Sequence, residues 1–174
     1  MRRWVALAAL FATVACNPQP GGNARGTPTP APSAIGAPPL RITGKLTHPI
    51  VAQRGNRRLY QLAARNYDGI SPQGAARTTF YGADITFYDK RGSTLEARAP
   101  QAVVEQARHT VTMSGGVVAH SSAGLLLTCT TLVYDSGKET IHGEGNVRAS
   151  NRQGATITGN RFDSDVALDH IRIR

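Results

Sequence analysis

The chain has 174 residues, enough for one domain with a core of its own. Twenty Lys and Arg against eleven Asp and Glu give a net charge of +9, which favours an anionic partner: nucleic acid, a phosphate-bearing lipid or a membrane surface. With only Cys16 and Cys129, a disulfide-dense scaffold is excluded.

Residues 1–15 read as a signal peptide. Arg2 and Arg3 form a positive start, and Trp4 to Ala15 is a mostly apolar run. As a helix that run spans about 18 Å, short of the roughly 30 Å hydrocarbon core of a bilayer. It ends in Thr13-Val14-Ala15-Cys16. Small residues before a cysteine resemble the lipobox of bacterial lipoproteins, which implies diacylation of Cys16 as a lipid anchor; two acyl chains hold where one is marginal. Ordinary cleavage with Cys16 unmodified is the alternative. Residues 16–39 are read as this anchor and a linker. Asn17 to Pro39 holds seven Pro and four Gly and too little apolar surface to offset the entropy of ordering. Semi-extended at about 3.1 Å per residue, it reaches up to about 70 Å.

Residues 40–174 are read as the folded domain, and their pattern is alternation. Val111, Met113, Val117 and Ala119 interleave with Thr110, Thr112 and His120. Leu125, Leu127 and Cys129 alternate with Thr128 and Thr130, and Ile141, Val147 and Ala149 with His142, Arg148 and Ser150. Period-two alternation rich in Val, Ile and Thr predicts strands. Turn residues divide them at Asp89-Lys90-Arg91-Gly92, Ser121-Ser122-Ala123-Gly124, Asp135-Ser136-Gly137-Lys138 and Asn151-Arg152-Gln153-Gly154. Ala99 to Arg108 reads as a bent strand around Pro100, Gly143-Glu144-Gly145-Asn146 as strand glycines, and Asp163-Ser164-Asp165 as a polar turn.

A repeat underlies these strands. Leu95, Leu125 and Ala155 stand thirty residues apart, as do Ala97, Leu127 and Ile157, and Ala102, Leu132 and Phe162. Phe87, Val117 and Val147 share another column, and Val111, Ile141 and Ile171 another. Each unit is about two strands, which cannot bury their own apolar face and must stack on neighbours. The inward parity switches once per unit, from 125/127/129 to 132/134 and from 155/157/159 to 162. One extra residue per unit is what a β-bulge requires. The expected architecture is all-β, a twisted sandwich or jellyroll of stacked two-strand repeats.

The predicted inward column comprises Phe87, Leu95, Val111, Met113, Val117, Leu125 and Leu127, followed by Leu132, Tyr134, Ile141, Val147, Ile157 and Phe162. In a closed sandwich these are core; if the layers splay they line an apolar trough that takes acyl chains by burial. Ala97, Ala99, Ala119, Ala149 and Gly159 would leave room for such chains, and Arg148, Arg152 and Arg161 would meet lipid phosphates at the rim. At the C-terminus, Ile171 and Ile173 alternate with His170, Arg172 and Arg174. An uncovered strand there offers its backbone to a partner sheet.

Chemistry is not signalled. G-x-S-x-G, H-E-x-x-H and P-loop patterns do not occur, so no catalytic residue is assigned and the chain reads as a non-enzyme. His48, His109, His120, His142 and His170 lack ligand spacing, and neither a metal nor a cofactor is expected. Aromatics are too sparse for a single-strand binder, so nucleic acid is not an expected partner.

The run from Gly124 to Asp165 resembles the LptC/LptA/OstA-like periplasmic modules of lipopolysaccharide export. The match is carried by Leu127, Leu132, Tyr134, Asp135, Gly145, Val147 and Gly154, with Gly116-Val117 one repeat earlier. Gly55 to Ala64 resembles the opening strand of the LptC members, with Tyr60 and Leu62 as its apolar steps. The resemblance implies a β-jellyroll that passes the lipid A chains of lipopolysaccharide, an anionic lipid, from an inner-membrane ABC transporter along a bridge of β-jellyroll proteins. It implies a place at the periplasmic face of a bacterial membrane, where the lipoprotein-like signal stands in for the family's usual transmembrane helix. The alternative is a structural or assembly lipoprotein that binds a protein partner by strand addition without carrying lipid.

Overall fold

The computed structural model describes residues 40–71 and 76–174. The expected signal peptide 1–15, the Cys16 anchor and the linker to residue 39 lie outside the described residues. Eleven strands follow in order: β1 (Leu40–Lys45), β2 (Ile50–Arg54), β3 (Arg57–Ala63), β4 (Asn66–Ser71), β5 (Arg77–Tyr88) and β6 (Thr94–Glu105), then β7 (Thr110–Ser121), β8 (Leu126–Asp135), β9 (Thr140–Ser150), β10 (Thr156–Asp165) and β11 (Arg172–Ile173). The expected bent strand runs to Glu105 and then closes in a 3₁₀ turn, Gln106–Arg108. Asp163 and Asp165 end β10 rather than forming a turn. Among the described residues no helix is long and apolar enough to cross a membrane.

All pairings are antiparallel, in the order β1-β4-β5-β6-β7-β8-β9-β10-β11, with the β2–β3 hairpin joined to β5 through β3. Strand β5 serves two neighbours along one edge. Arg77–Tyr81 pair with β4, and Asp84–Phe87 pair with β3. Between them Gly82 takes φ 61°, a left-handed conformation that glycine adopts without strain.

At the level of Gly82 a line of irregularities crosses the sheet. Register slips occur between Arg98 and Gln101, Ser114 and Val117, Thr128 and Thr131, and Gly159 and Arg161. Bulges bend and twist the strands that carry them, and repeated along a line they fold one sheet over into two facing layers. Phe87 of β5 and Tyr134 of β8 belong to strands that are not neighbours, yet their rings lie 4.7 Å apart across the fold. This is a β-jellyroll-like architecture.

The bulges also decide which residues face inward. In β8 the buried residues are Leu127 and Cys129 before the crease, Leu132 and Tyr134 after it. The predicted change of parity is therefore present, as it is in β6 from Ala97 and Ala99 to Ala102. β7 and β9 keep their parity by placing two positive-φ residues at the crease: Gly115 and Gly116 in one, Gly145 and Asn146 in the other. One inner row then reads Leu62, Ile85, Ala97, Ala119, Leu127, Ala149, Ile157 across successive strands. The facing layer carries Phe80, Ala102, Met113, Leu132, Gly143, Phe162 and Ile173. Gly143 is needed in that row because a Cβ there would run into the Phe162 ring.

Candidate functional site

The two inner rows meet differently at the two ends of the domain. From β6 to β10 they interdigitate completely. Phe87, Leu95, Met113, Leu127, Leu132, Tyr134 and Phe162 have no exposed surface, and Val111, Val117, Ile141 and Val147 next to none. Leu125 lies just before β8, partly buried against this core. The small residues Ala97, Ala99, Ala119 and Ala149 are buried as well, so the predicted room for chains is occupied by neighbouring side chains. Cys129 is a free, buried thiol whose pKa burial pushes up to about 11.

Two expectations about facing and one about length need correction. Ile157 is on the inner face, in register with Ala149 and Leu127, but it is 61% exposed. Alternation specifies a face; it does not supply a cover, and β11 pairs only Phe162 and Asp163 of β10. Ile171 and Ile173 alternate with exposed His170, Arg172 and Arg174 and end the sheet, but the strand they form is short. They pack partly buried against the core, and β11 is two residues long. The uncovered edge is the stretch of β10 from Thr156 to Thr158. Arg148, Arg152 and Arg161 do not rim the interior. Arg148 is exposed beside Thr128 and Thr158 on the outer face, Arg161 pairs with Glu144 at 2.6 Å, and the Arg152 guanidinium lies over the turn glycine Gly124.

Towards β1 and β2 the layers part. Three adjoining cavities of about 360, 110 and 310 Å³ lie in a line. The outermost is bounded by Ile42, Leu46, Ile50, Tyr67, Thr78 and Phe80. The middle one shares Ile50, Thr78 and Phe80 with it and adds Tyr60, Leu62, Val104 and Gln106. The innermost takes Tyr60, Val104 and Gln106 again and ends among Ala52, Leu59, His109, Val111 and Ser136. Together they make a groove beneath the β2–β3 hairpin, apolar in its first two sections. Of the predicted interior residues only Val111 lines it; the others sit in the filled half, apart from the exposed Ile157. Tyr60 marks the boundary, with its ring 6.3 Å from Phe87 and 6.2 Å from Tyr134. Sequence reasoning missed the groove because one wall of it comes from strands that precede the repeat. Tyr60 and Leu62 were the only signals there.

Polar groups close the deep end. Glu139, in the β8–β9 turn, receives Arg57 Nη2 at 2.5 Å and Arg54 Nη1 at 3.3 Å. Lys90 Nζ stands 3.8 Å from the same oxygen. Arg54 Nη2 also donates to the Ser136 carbonyl at 2.6 Å. The buried Tyr134 hydroxyl is pushed up to about 12, first by burial and then by the negative charge of Glu139. A second cross-layer contact pairs Arg91 with Asp169 at 2.6 Å and Asp165 at 3.7 Å. Among the described residues no group of three or more His, Cys, Asp or Glu side chains is arranged to hold a metal ion. Apolar volume closed by ion pairs is a setting for binding an amphiphile.

A search of curated proteins gave no match. Residues 41–173 match the family model described as lipopolysaccharide-assembly, LptC-related, which takes in nearly all of the strand region built up above. The chain belongs to the LptC-related family of lipopolysaccharide assembly.

Proposed function

We propose that the domain holds the acyl chains of an anionic, lipopolysaccharide-like lipid in the groove beneath the β2–β3 hairpin. Family membership ties the chain to lipopolysaccharide assembly in the cell envelope. The observation that carries the finer reading is the groove: three adjoining cavities at one end of the interior. Each buried methylene contributes about 0.8 kcal/mol, so an acyl chain is retained by shape and burial, without a catalytic step.

In this proposal residues 1–15 are removed, Cys16 is the lipid anchor, and residues 16–39 tether the domain 40–174 at the periplasmic face of a membrane, the inner one by family habit. Membrane subunits of an ABC exporter supply the lipid. The next β-jellyroll adds a strand to the free stretch of β10, with Ile171 and Ile173 bracing that edge from the core side. The test is photocrosslinking in cells from Ile50 and Phe80 in the groove, with the outward-facing Val118 as control. Lipopolysaccharide adducts from the two groove positions and none from Val118 are expected. Loss of that contrast, or no adduct at all, overturns the reading.

A further inference from the structure

We infer that the β2–β3 hairpin is a hinged flap over the groove and that Glu139 is its latch. The inference rests on the reading of the groove as the acyl site and gives that site a means of access.

The hairpin is the most weakly attached part of the sheet that covers the groove. β2 pairs with β3 alone, through five residue pairs broken by an irregularity at Ala52 and Gln53. β3 in turn meets β5 through only four pairs, from Tyr60 with Phe87 to Ala63 with Asp84. Ile50 and Val51 are exposed. Yet Ala52, Gln53, Leu59 and Tyr60 of this hairpin form one wall of the inner cavity, and Val104 to Val111 the other. Swinging the hairpin outward opens the groove along its length without breaking any pairing between β5 and β10.

At its base the hairpin is anchored by Leu59, Tyr60 and Leu62 in the core, and its far end is held down by its tip. Arg54 and Arg57 reach across to the β8–β9 turn and converge on Glu139, with Lys90 of the β5–β6 turn on the same oxygen. Two features make this contact a latch rather than a permanent weld. Glu139 holds its side chain 8% exposed from a backbone at φ 60°, a conformation that carries strain for a residue other than glycine or asparagine. Its second oxygen Oε2, Arg57 Nη1 and the Tyr134 hydroxyl are all buried without a hydrogen-bond partner. A buried ion pair is net favourable only when its remaining polar atoms are satisfied. This one is not fully satisfied, so the tip contact adds less to the closed state than a fully paired one would, and the tip is the part of the hairpin that releases most readily. The second cross-layer contact, Arg91 with Asp165 and Asp169, does not touch the hairpin. It keeps the filled half shut while the flap moves.

The test is hydrogen exchange by mass spectrometry on the full chain, beside stopped-flow uptake of cis-parinaric acid as an acyl probe. Glu139→Gln is expected to speed exchange within residues 50–63 by at least about tenfold, as loss of a partly buried ion pair implies, and to quicken probe uptake in step. Exchange in β7 to β9 stays unchanged. Arg54→Ala, at a half-exposed position, gives a smaller change in the same segment and serves if Glu139→Gln does not fold. Asp165→Asn, at the other contact, leaves residues 50–63 as they were. Uniform acceleration from β5 to β10, an unmoved hairpin, or an equal response to Asp165→Asn overturns the latch. Absence of probe binding to the unaltered protein would sink the acyl reading alone, since the exchange pattern still decides whether the flap is latched.

Discussion

The two ends of the interior are built by one sheet and the same alternation, yet one is filled and the other is a groove. The filled end lies where both layers come from the thirty-residue repeat, so that Leu132 and Phe162 of one layer meet Phe87, Leu95 and Leu127 of the other. The open end lies where strands that precede the repeat supply part of the wall. There β2 carries exposed Ile50 and Val51, and β1 carries exposed Ile42. Alternation makes an apolar face in both places, but only matched volumes from two layers make a core. The proposed lipid site therefore lies at the end where the match fails.

The sharpest way to break this comparison is to truncate one apolar side chain at each end. Phe162→Ala empties a fully buried site seated on Gly143 and should cost about 3–5 kcal/mol in urea unfolding. Ile50→Ala, at the groove mouth, should cost less than about 1 kcal/mol, since half-exposed positions lose little transfer energy. Equal losses would mean that the groove is packed in solution and the contrast is false.

Cys129 tests the filled end without altering its shape. Its thiol is buried and raised to about 11, so little thiolate exists near pH 8. In a Cys16→Ser chain, alkylation by iodoacetamide should run about two orders of magnitude slower than for an ordinary thiol. Reaction at the ordinary rate would show that this end opens too. A milder change probes the groove itself. Ile50→Asp puts a charge beside Phe80 and Tyr67 and should weaken cis-parinaric acid binding about tenfold, the loss expected when roughly two methylenes are left in water, with unfolding nearly unmoved.

Much of the filled end was legible in the sequence. The parity switch at residues 129 to 132 and 159 to 162 announced the crease, because a bulge is a local event and leaves a local mark. Columns thirty residues apart identified the rows, because alternate strands of a meander repeat each other's direction and environment. What covers a row was not legible. Ile157 lies on the predicted face but ends uncovered, since coverage depends on how far β11 reaches. Nor was the latch, which joins Arg57 to a glutamate 82 positions away. Neither residue belongs to an alternating pattern, and their meeting is set by the angle of the fold. The groove was hidden for a related reason: Ile42, Ile50, Tyr67 and Phe80 come from four strands with no shared period.

Acid supplies the gentlest test, because it acts on two carboxylates that the fold holds below their usual range, one at the groove mouth and one at its deep end beside the filled half. Asp135 is lowered chiefly by the Lys138 backbone N–H, against some burial, with Gly137 assisting; it ties the turn at the end of β8. Asp68 is lowered by its hydrogen bond from Arg41, which joins β4 to β1 at the groove mouth. A group whose folded pKa is depressed stabilises the fold above its unfolded value and stops doing so as pH falls through the folded one. Stability should therefore be flat from pH 7 to about 5 and decline below about pH 4. The effect is small, because both side chains face solvent and screening limits each. Its order is informative. β1 has a single neighbour, β4, while the Asp135 turn is backed by β7, β8 and β9. Hydrogen exchange at pH 4 should thus rise first in residues 40–45 and only later around residues 135–140. If the turn frays first, the groove mouth is better held than the deep end that abuts the filled half, and the contrast is drawn the wrong way round.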